Sequence, residues 1–171
     1  MLQIQKQVSL RHFNTLALPS IAENFCKISS KNALCEALEW AKKHQLPITI
    51  LGGGSNVVLA RDLAGLVLHM AIPGVELVSE QQDHRIINIG AGENWHQLVL
   101  HTLDQGWYGL ENLSLIPGLV GAAPIQNIGA YGVELSERFL SLEAIHIATG
   151  ELRLMDSSDC QFGYRDSFFK G

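Results

Sequence analysis

The residues with the most to offer chemically fall in glycine-rich stretches and one late cluster. Gly52-Gly53-Gly54-Ser55-Asn56 joins two apolar runs, gathers unencumbered backbone N–H groups at one turn, and adds the side-chain donors of Ser55 and Asn56. Such a nest suits a phosphate. It is not a P-loop, because no Gly-Lys-Ser/Thr follows, and it is not a dinucleotide fingerprint, because Val57 stands where a third glycine belongs. Taken alone, it fits a glycine-rich hairpin or bulge turn equally well.

A longer segment, Gly109 to Gly132, reads GLENLSLIPGLVGAAPIQNIGAYG and keeps neither helical nor alternating periodicity for long. Structureless spans of that length are usually functional. No lysine or arginine occurs between Ile86 and Glu137, so an anion held there would be bound by amide dipoles. Gly118, Gly121, Gly129 and Gly132, interspersed with Pro117, Pro124, Gln126 and Asn127, let main chain approach a flat or extended ligand closely; a diphosphate-linked planar cofactor meets that description. The plainer alternative is a surface loop packed by its own Ile116, Leu119, Val120 and Ile125. Gly90-Ala91-Gly92-Glu93-Asn94-Trp95 joins a strand to a helix, where its glycines serve the turn and the cap as readily as a ligand. Trp95 and Trp107 read as packing aromatics. In Tyr164-Arg165-Asp166-Ser167 a guanidinium, a phenol and a carboxylate adjoin Phe168-Phe169; Arg165 could grip a carboxylate bidentately or simply pair with Asp166. Ser167 has no general base nearby in sequence. The seven histidines show no metal-ligand spacing, which leaves metal catalysis unsupported.

The elements that must position these residues follow from apolar spacing and caps. Ala33, Leu34, Ala37, Leu38 and Ala41 predict an amphipathic helix over 29–44 with Ser29 or Ser30 as N-cap. Strands are predicted at 47–51, 57–59, 66–69, 75–79 and 85–90, a helix from the Asn94 cap to Asp104, a hairpin over 139–155 and a short helix at 157–160. None of the sixteen glycines precedes Gly52 and thirteen fall between Gly52 and Gly132, which marks that stretch as the one needing unusual backbone. Short strands with few helices indicate an α+β fold. With 171 residues, 47% of them hydrophobic, the chain forms one domain or two small lobes around a real core. A net charge of −5 gives no footprint for a phosphate backbone, so nucleic acid is not an expected partner. Three cysteines without a CxxC pair point to a reducing, cytoplasmic setting; neither an apolar leader nor a membrane-spanning run is read.

Four stretches, ILGGGSN (50–56), GAGENW (90–95), the 109–132 segment and CQFGYRDSFFK (160–170), resemble in order and spacing the UDP-N-acetylenolpyruvoylglucosamine reductase (UDP-N-acetylmuramate dehydrogenase) family, and the likeness covers essentially the whole chain. The resemblance implies an FAD-dependent oxidoreductase of peptidoglycan precursor synthesis, with the two-lobed α+β fold of the vanillyl-alcohol-oxidase type. FAD would lie between lobes at 1–70 and 71–171. Gly52, Gly53, Gly54, Ser55 and Asn56 would cradle its pyrophosphate, and Ile116, Pro117, Gly118, Gly121, Ala122, Ala123, Asn127, Gly129, Ala130 and Gly132 would line the rest. NADPH would be the reductant and a nucleotide sugar bearing an enolpyruvyl group the substrate. Arg165 would be the catalytic cation, meeting the charge that builds on the substrate carboxylate, with Tyr164 and Tyr131 beside the substrate. A cytoplasmic monomer is expected. Where the family often has GSSP, Ala122 and Ala123 offer no hydroxyl. Members of the family run longer, with a substrate-binding lobe, a proton-donating serine and a glutamate beyond GYRDS; the expectation is a chain lacking the C-terminal substrate-binding domain, binding flavin weakly at most and inactive by itself. Another flavoprotein oxidoreductase of the same fold and a non-catalytic flavin-binding module are the alternatives.

Overall fold

A computed structural model describes residues 2–170. The first strands, β1 (Gln5–Ser9) and β2 (Ile21–Ile28), pair antiparallel. Ser30 then caps α1 (Lys31–Lys43): its hydroxyl accepts the Ala33 N–H at 3.1 Å, and Lys42 and Lys43 occupy the last turn, where positive charge meets the negative end of the dipole. Two further strands, β3 (Ile48–Leu51) and β4 (Leu63–Met70), complete a sheet of order β1-β2-β4-β3 in which β4 runs parallel to both neighbours. A strand paired on both edges and covered on both faces must be apolar without alternation, and Leu66, Val67 and Leu68 are fully buried. Leu66 and Leu68 pack with Cys26, Ile28 and the Ala37, Leu38 and Ala41 stripe of α1. Val67 packs on the other side with Leu10, Ala22, Phe25 and Leu51.

A second core assembles after Met70. β5 (Val75–Glu80) and β6 (Arg85–Ile89) form an antiparallel hairpin, and α2 (Trp95–Asp104) begins where the Asn94 side chain accepts the Gln97 N–H at 3.0 Å. Trp95, Leu98 and Val99 of α2 bury against Leu113, Ala123, Ile128 and Leu135, and the Trp95 indole N–H donates to the Leu113 carbonyl at 2.8 Å. The chain continues through the tight hairpin β7 (Gly129–Ala130) and β8 (Val133–Glu134), then the hairpin β9 (Ser141–Ile145) and β10 (Leu152–Asp156), and ends with α3 (Ser157–Cys160), capped by the Asp156 carboxylate. A Lys31–Glu143 ion pair links α1 to β9. No helix of the described residues is long and apolar enough to cross a membrane.

Three features differ from the sequence expectation. β1 and β2 were not anticipated, because β1 is mostly exposed and polar while β2 carries Glu23, Asn24 and Lys27 among its apolar residues. Two of those polar groups are satisfied by Gly65: its N–H donates to Glu23 Oε2 at 2.8 Å and its carbonyl accepts from Asn24 Nδ2 at 2.9 Å. The strand expected at 57–59 does not form: the chain leaves β3 in an irregular loop that carries Val57 and Val58 exposed, and neither pairs with the sheet. Finally, the 109–132 segment is ordered by 3₁₀ turns at Glu111–Leu113 and Val120–Gln126 and by the β7–β8 hairpin.

Candidate functional site

β3 delivers the glycine loop at its C-terminal end, where no backbone N–H from Gly52 through Leu59 donates to a protein acceptor among the described residues. These N–H groups are left for water or a ligand; Gly52, Gly53, Gly54 and Ser55 are buried or half-buried, while Asn56, Val57 and Val58 face solvent. The loop is nevertheless fixed. The Thr15 N–H donates to the Gly54 carbonyl at 3.1 Å, and Gly54, at φ +64°, lies so close to Phe13 that an added Cβ would fall 2.0 Å from its carbonyl oxygen. Phe13 is in turn held in an aromatic cluster, 4.9 Å from Phe25 and 5.0 Å from His69 between ring centroids.

The 116–122 segment comes up against this loop. A Cβ on Gly53 would stand 3.2 Å from the Gly118 Cα, and one on Gly118, at φ +121°, would stand 3.2 Å from Ser55 Oγ. A Cβ on Gly52 would meet Ala122 and Leu119 at ordinary contact distance. The segment is aligned from the far side by the strand-to-helix turn: Trp95 N–H to Gly118 carbonyl (3.1 Å), Val120 N–H to Glu93 carbonyl (2.9 Å) and Gly121 N–H to Ala91 carbonyl (3.0 Å). Asn56 Nδ2 reaches Gln126 Oε1 at 3.4 Å. The structure therefore brings Gly52, Gly53, Gly54, Ser55 and Asn56 together with Gly118 and Ala122, while Gly121 packs against Ala91 on the far side. The close glycine pair leaves room for a ligand's backbone contacts and none for side chains. With no lysine or arginine on either loop, the unspent amides supply the positive potential, and that donor set fits a diphosphate.

Other expected lining residues sit differently. Ala123 is buried in the second core, Ile116 and Ala130 pack against it, and Pro117 is exposed. Asn127, expected to line the cofactor, has nothing left to give one: its side chain is 1% exposed, Nδ2 donates to Glu134 Oε2 (2.8 Å) and the Gly163 carbonyl (3.1 Å), and Oδ1 accepts the Ser136 N–H (2.9 Å). Gly129 lies under Glu134, whose Cγ would be 3.1 Å from an added Cβ.

Tyr131, Tyr164 and Arg165 stand at the tips of two turns. Tyr131 (φ +51°) and Gly132 (φ +79°) are the central pair of the β7–β8 hairpin, the type I′ pattern. Gly163 and Asp166 exchange both backbone hydrogen bonds around Tyr164-Arg165, with Arg165 at φ +50° in the place a type II turn reserves for glycine. Tyr131 is 88% and Tyr164 83% exposed, and the Arg165 side chain makes no ion pair or hydrogen bond among the described residues, so the Arg165–Asp166 pair considered from sequence is not made. Strained backbone that presents exposed polar side chains is the signature of a binding surface. Two residues, Glu134 and His69, escaped the sequence reading, and Ser167 was read there only as a serine without a base. Ser167, 8% exposed, donates to the Ile125 carbonyl at 2.7 Å and ties the turn to the 120–126 segment; Glu134 holds Asn127; His69 supports Phe13. Burial, with the charge of Lys27 adding to it, pushes the His69 imidazole below its usual range. Only the GYRDS spacing hinted at Ser167; the other two carried no local signal.

Comparison with known proteins shows the family and the fold. The family described as FAD binding domain matches residues 22–156. Among curated relatives, the UDP-N-acetylenolpyruvoylglucosamine reductase of Pseudomonas fluorescens (strain Pf0-1) is 50% identical over 99% of this chain and 50% of its own length, and that of Dechloromonas aromatica (strain RCB) is 53% identical over 95% and 47%. The chain thus spans about half the length of the curated relatives it matches. Among solved structures, UDP-N-acetylenolpyruvylglucosamine reductase from Thermus caldophilus superposes with a TM-score of 0.75 at 26% identity, over 98% of this chain and 57% of that one. A vanillyl-alcohol-oxidase-type flavoprotein from Myceliophthora thermophila (TM-score 0.60, 16% identity, 78% of this chain and 26% of that one) shares the fold. A chain with this α+β architecture and amide-lined glycine loop, matched from β2 to the end of β10, belongs to the FAD binding domain family.

Proposed function

We propose that the chain is the FAD-binding part of a UDP-N-acetylenolpyruvoylglucosamine reductase, which uses NADPH to reduce the enolpyruvyl group of a UDP-linked sugar to UDP-N-acetylmuramate during peptidoglycan precursor synthesis. The observation that carries the reading is the run of unspent amides from Gly52 to Leu59 set against Gly118, with no lysine or arginine on either loop. In this reading FAD lies between residues 1–70 and 71–171. Gly52, Gly53, Gly54, Ser55 and Asn56 hold the pyrophosphate, and Ile116, Pro117, Gly118, Gly121 and Ala122 line the remainder, with Gly129, Ala130 and Gly132 in the hairpin beyond. Bound FAD supplies a two-electron redox centre between NADPH and the substrate double bond. Reduction of an enol-ether acrylate builds negative charge on the substrate carboxylate, and Arg165, presented unpaired at its turn, neutralises it bidentately. Tyr131 and Tyr164 offer phenol donors to the same anionic end or to the sugar nucleotide. A monomer in the cytoplasm, with no nucleic-acid partner, completes the proposal.

The test is direct. The 171-residue polypeptide, mixed with FAD and passed through a desalting column, is expected to retain flavin absorbance near ~450 nm, the band of the oxidised isoalloxazine. Loss of all flavin would overturn the reading. Adding the enolpyruvyl nucleotide sugar should perturb that band, and Arg165→Ala should abolish the perturbation. A polypeptide that holds FAD yet ignores the nucleotide sugar supports the flavin-binding assignment, with the substrate contacts completed by the half of the relatives' length that this chain does not span.

A further inference from the structure

We infer that Asn127 is a positioning residue that fixes the Tyr131 turn and the Tyr164-Arg165 turn to one another, so that the two move as a single presenting unit. The two turns belong to segments far apart in sequence, yet their bases converge on one amide nitrogen. Asn127 Nδ2 donates one hydrogen to Glu134, which is paired across the β7–β8 hairpin with Gly129, and the other to the carbonyl of Gly163, the first residue of the second turn. The orientation of the amide is not arbitrary. The Ser136 N–H at 2.9 Å requires an acceptor, so the oxygen must face it, and the nitrogen then faces a carboxylate and a carbonyl, both acceptors.

Both N–H donors of this group and its carbonyl oxygen are thereby engaged on the protein, at 1% exposure and in a left-handed backbone conformation (φ +42°) that asparagine tolerates better than other side-chain-bearing residues. Glu134 is held in place independently by a reciprocal capping arrangement with Glu137, and the bare Gly129 beneath it gives its side chain room to reach Asn127. The Ser167 hydroxyl, bonded to the Ile125 carbonyl, anchors the far end of the second turn to the segment that leads into Asn127. Each turn carries an exposed side chain on a positive-φ residue, Tyr131 and Arg165. A shared buried clamp is what keeps two such strained, solvent-facing turns at a constant spacing, and the ligand it serves is an anion read by one guanidinium and two phenols together. That last step rests on the function proposed above; the mechanical coupling does not.

The experiment uses the 171-residue chain labelled with 3-fluorotyrosine, which gives three ¹⁹F resonances from Tyr108, Tyr131 and Tyr164, assigned by single Tyr→Phe changes. Asn127→Gly keeps the positive φ and removes the clamp. The Tyr131 and Tyr164 resonances are both expected to shift or broaden beyond their linewidths, with Tyr108 as the internal reference. Asn127→Asp combined with Glu134→Gln exchanges donor and acceptor: it re-forms the bond to β8 but leaves the Gly163 carbonyl without a donor. This double variant should return the Tyr131 resonance to its original position and leave Tyr164 displaced, a split that general loosening of the fold would not produce. It also keeps the buried polar groups near β8 paired, so it remains informative should Asn127→Gly fold poorly. The inference is overturned if either resonance keeps its position in Asn127→Gly, or if the double variant moves both tyrosines alike. Titrating the unsubstituted chain with the enolpyruvyl nucleotide sugar separates the two claims: a ¹⁹F response at Tyr131 and Tyr164 supports the proposed substrate, and the coupling result stands on the variants whatever that titration gives.

Discussion

Arg165 and Gly53 show how single residues divide between stability and use. An arginine at φ +50° bears a left-handed backbone cost of about 1–2 kcal/mol, and among the described residues no ion pair or hydrogen bond rewards its side chain. Arg165→Gly is therefore expected to raise unfolding free energy by up to about 1 kcal/mol in urea titration, the gain being trimmed by the greater freedom of glycine in the unfolded chain. The same change should remove the response to the anionic substrate. Gly53 behaves in the opposite sense: a methyl 3.2 Å from the Gly118 Cα requires the two loops to part by a few tenths of an ångström. Gly53→Ala should weaken FAD binding about tenfold, or ~1.4 kcal/mol, in a fluorescence-quenching titration while leaving the sheet's stability nearly unchanged. These roles were only partly legible beforehand. Composition identified the glycine loops and the cation-free stretch, whereas the saturation of Asn127 depended on Glu134, Ser136 and Gly163 meeting it in space.

Elements position the site by sharing backbone. α2 does more than fill the second core: its first residue, Trp95, donates its backbone N–H to Gly118 and its indole N–H to Leu113, so one residue fixes both ends of the segment leading to the glycine contact. Trp95→Phe retains most of the apolar burial but leaves the Leu113 carbonyl unpaired in the interior, and should cost about 1–3 kcal/mol in chemical denaturation. Helix α1 was readable from its 3.6-residue stripe and its Ser30 cap, and α2 from the Asn94 cap. β2 was not, because Glu23 and Asn24 look like surface residues until Gly65 is placed beside them. The strand expected at 57–59 failed for the complementary reason: valines favour a ladder, but strand propensity is overridden when the chain does not bring the segment alongside a partner, and Val57 and Val58 stay exposed.

Across the whole molecule, pH acts through the cluster beneath the glycine loop. His69 is half-buried, its Nδ1 has no hydrogen-bond partner, and burial lowers its pKa from the ordinary 6.5. Above that value both folded and unfolded chains carry it neutral and it contributes no pH dependence. As pH falls through 6.5 toward the depressed folded value, the unfolded chain binds the proton first, so stability declines over that window. His69→Gln is expected to flatten this part of the stability profile in thermal melts between about pH 7 and pH 5; an unchanged slope would place the acid sensitivity elsewhere. By itself the sequence determined the α+β class, the helices with their caps, the glycine loops and the absence of cations around them, because these depend on local periodicity, capping chemistry and composition. The tertiary structure alone decided that the 52–56 loop meets Gly118, that its amides stay unspent, and that Asn127 serves the protein rather than a ligand. Hydrogen-bond pairing is settled between segments distant in the chain, and no local pattern records which donors will find a partner.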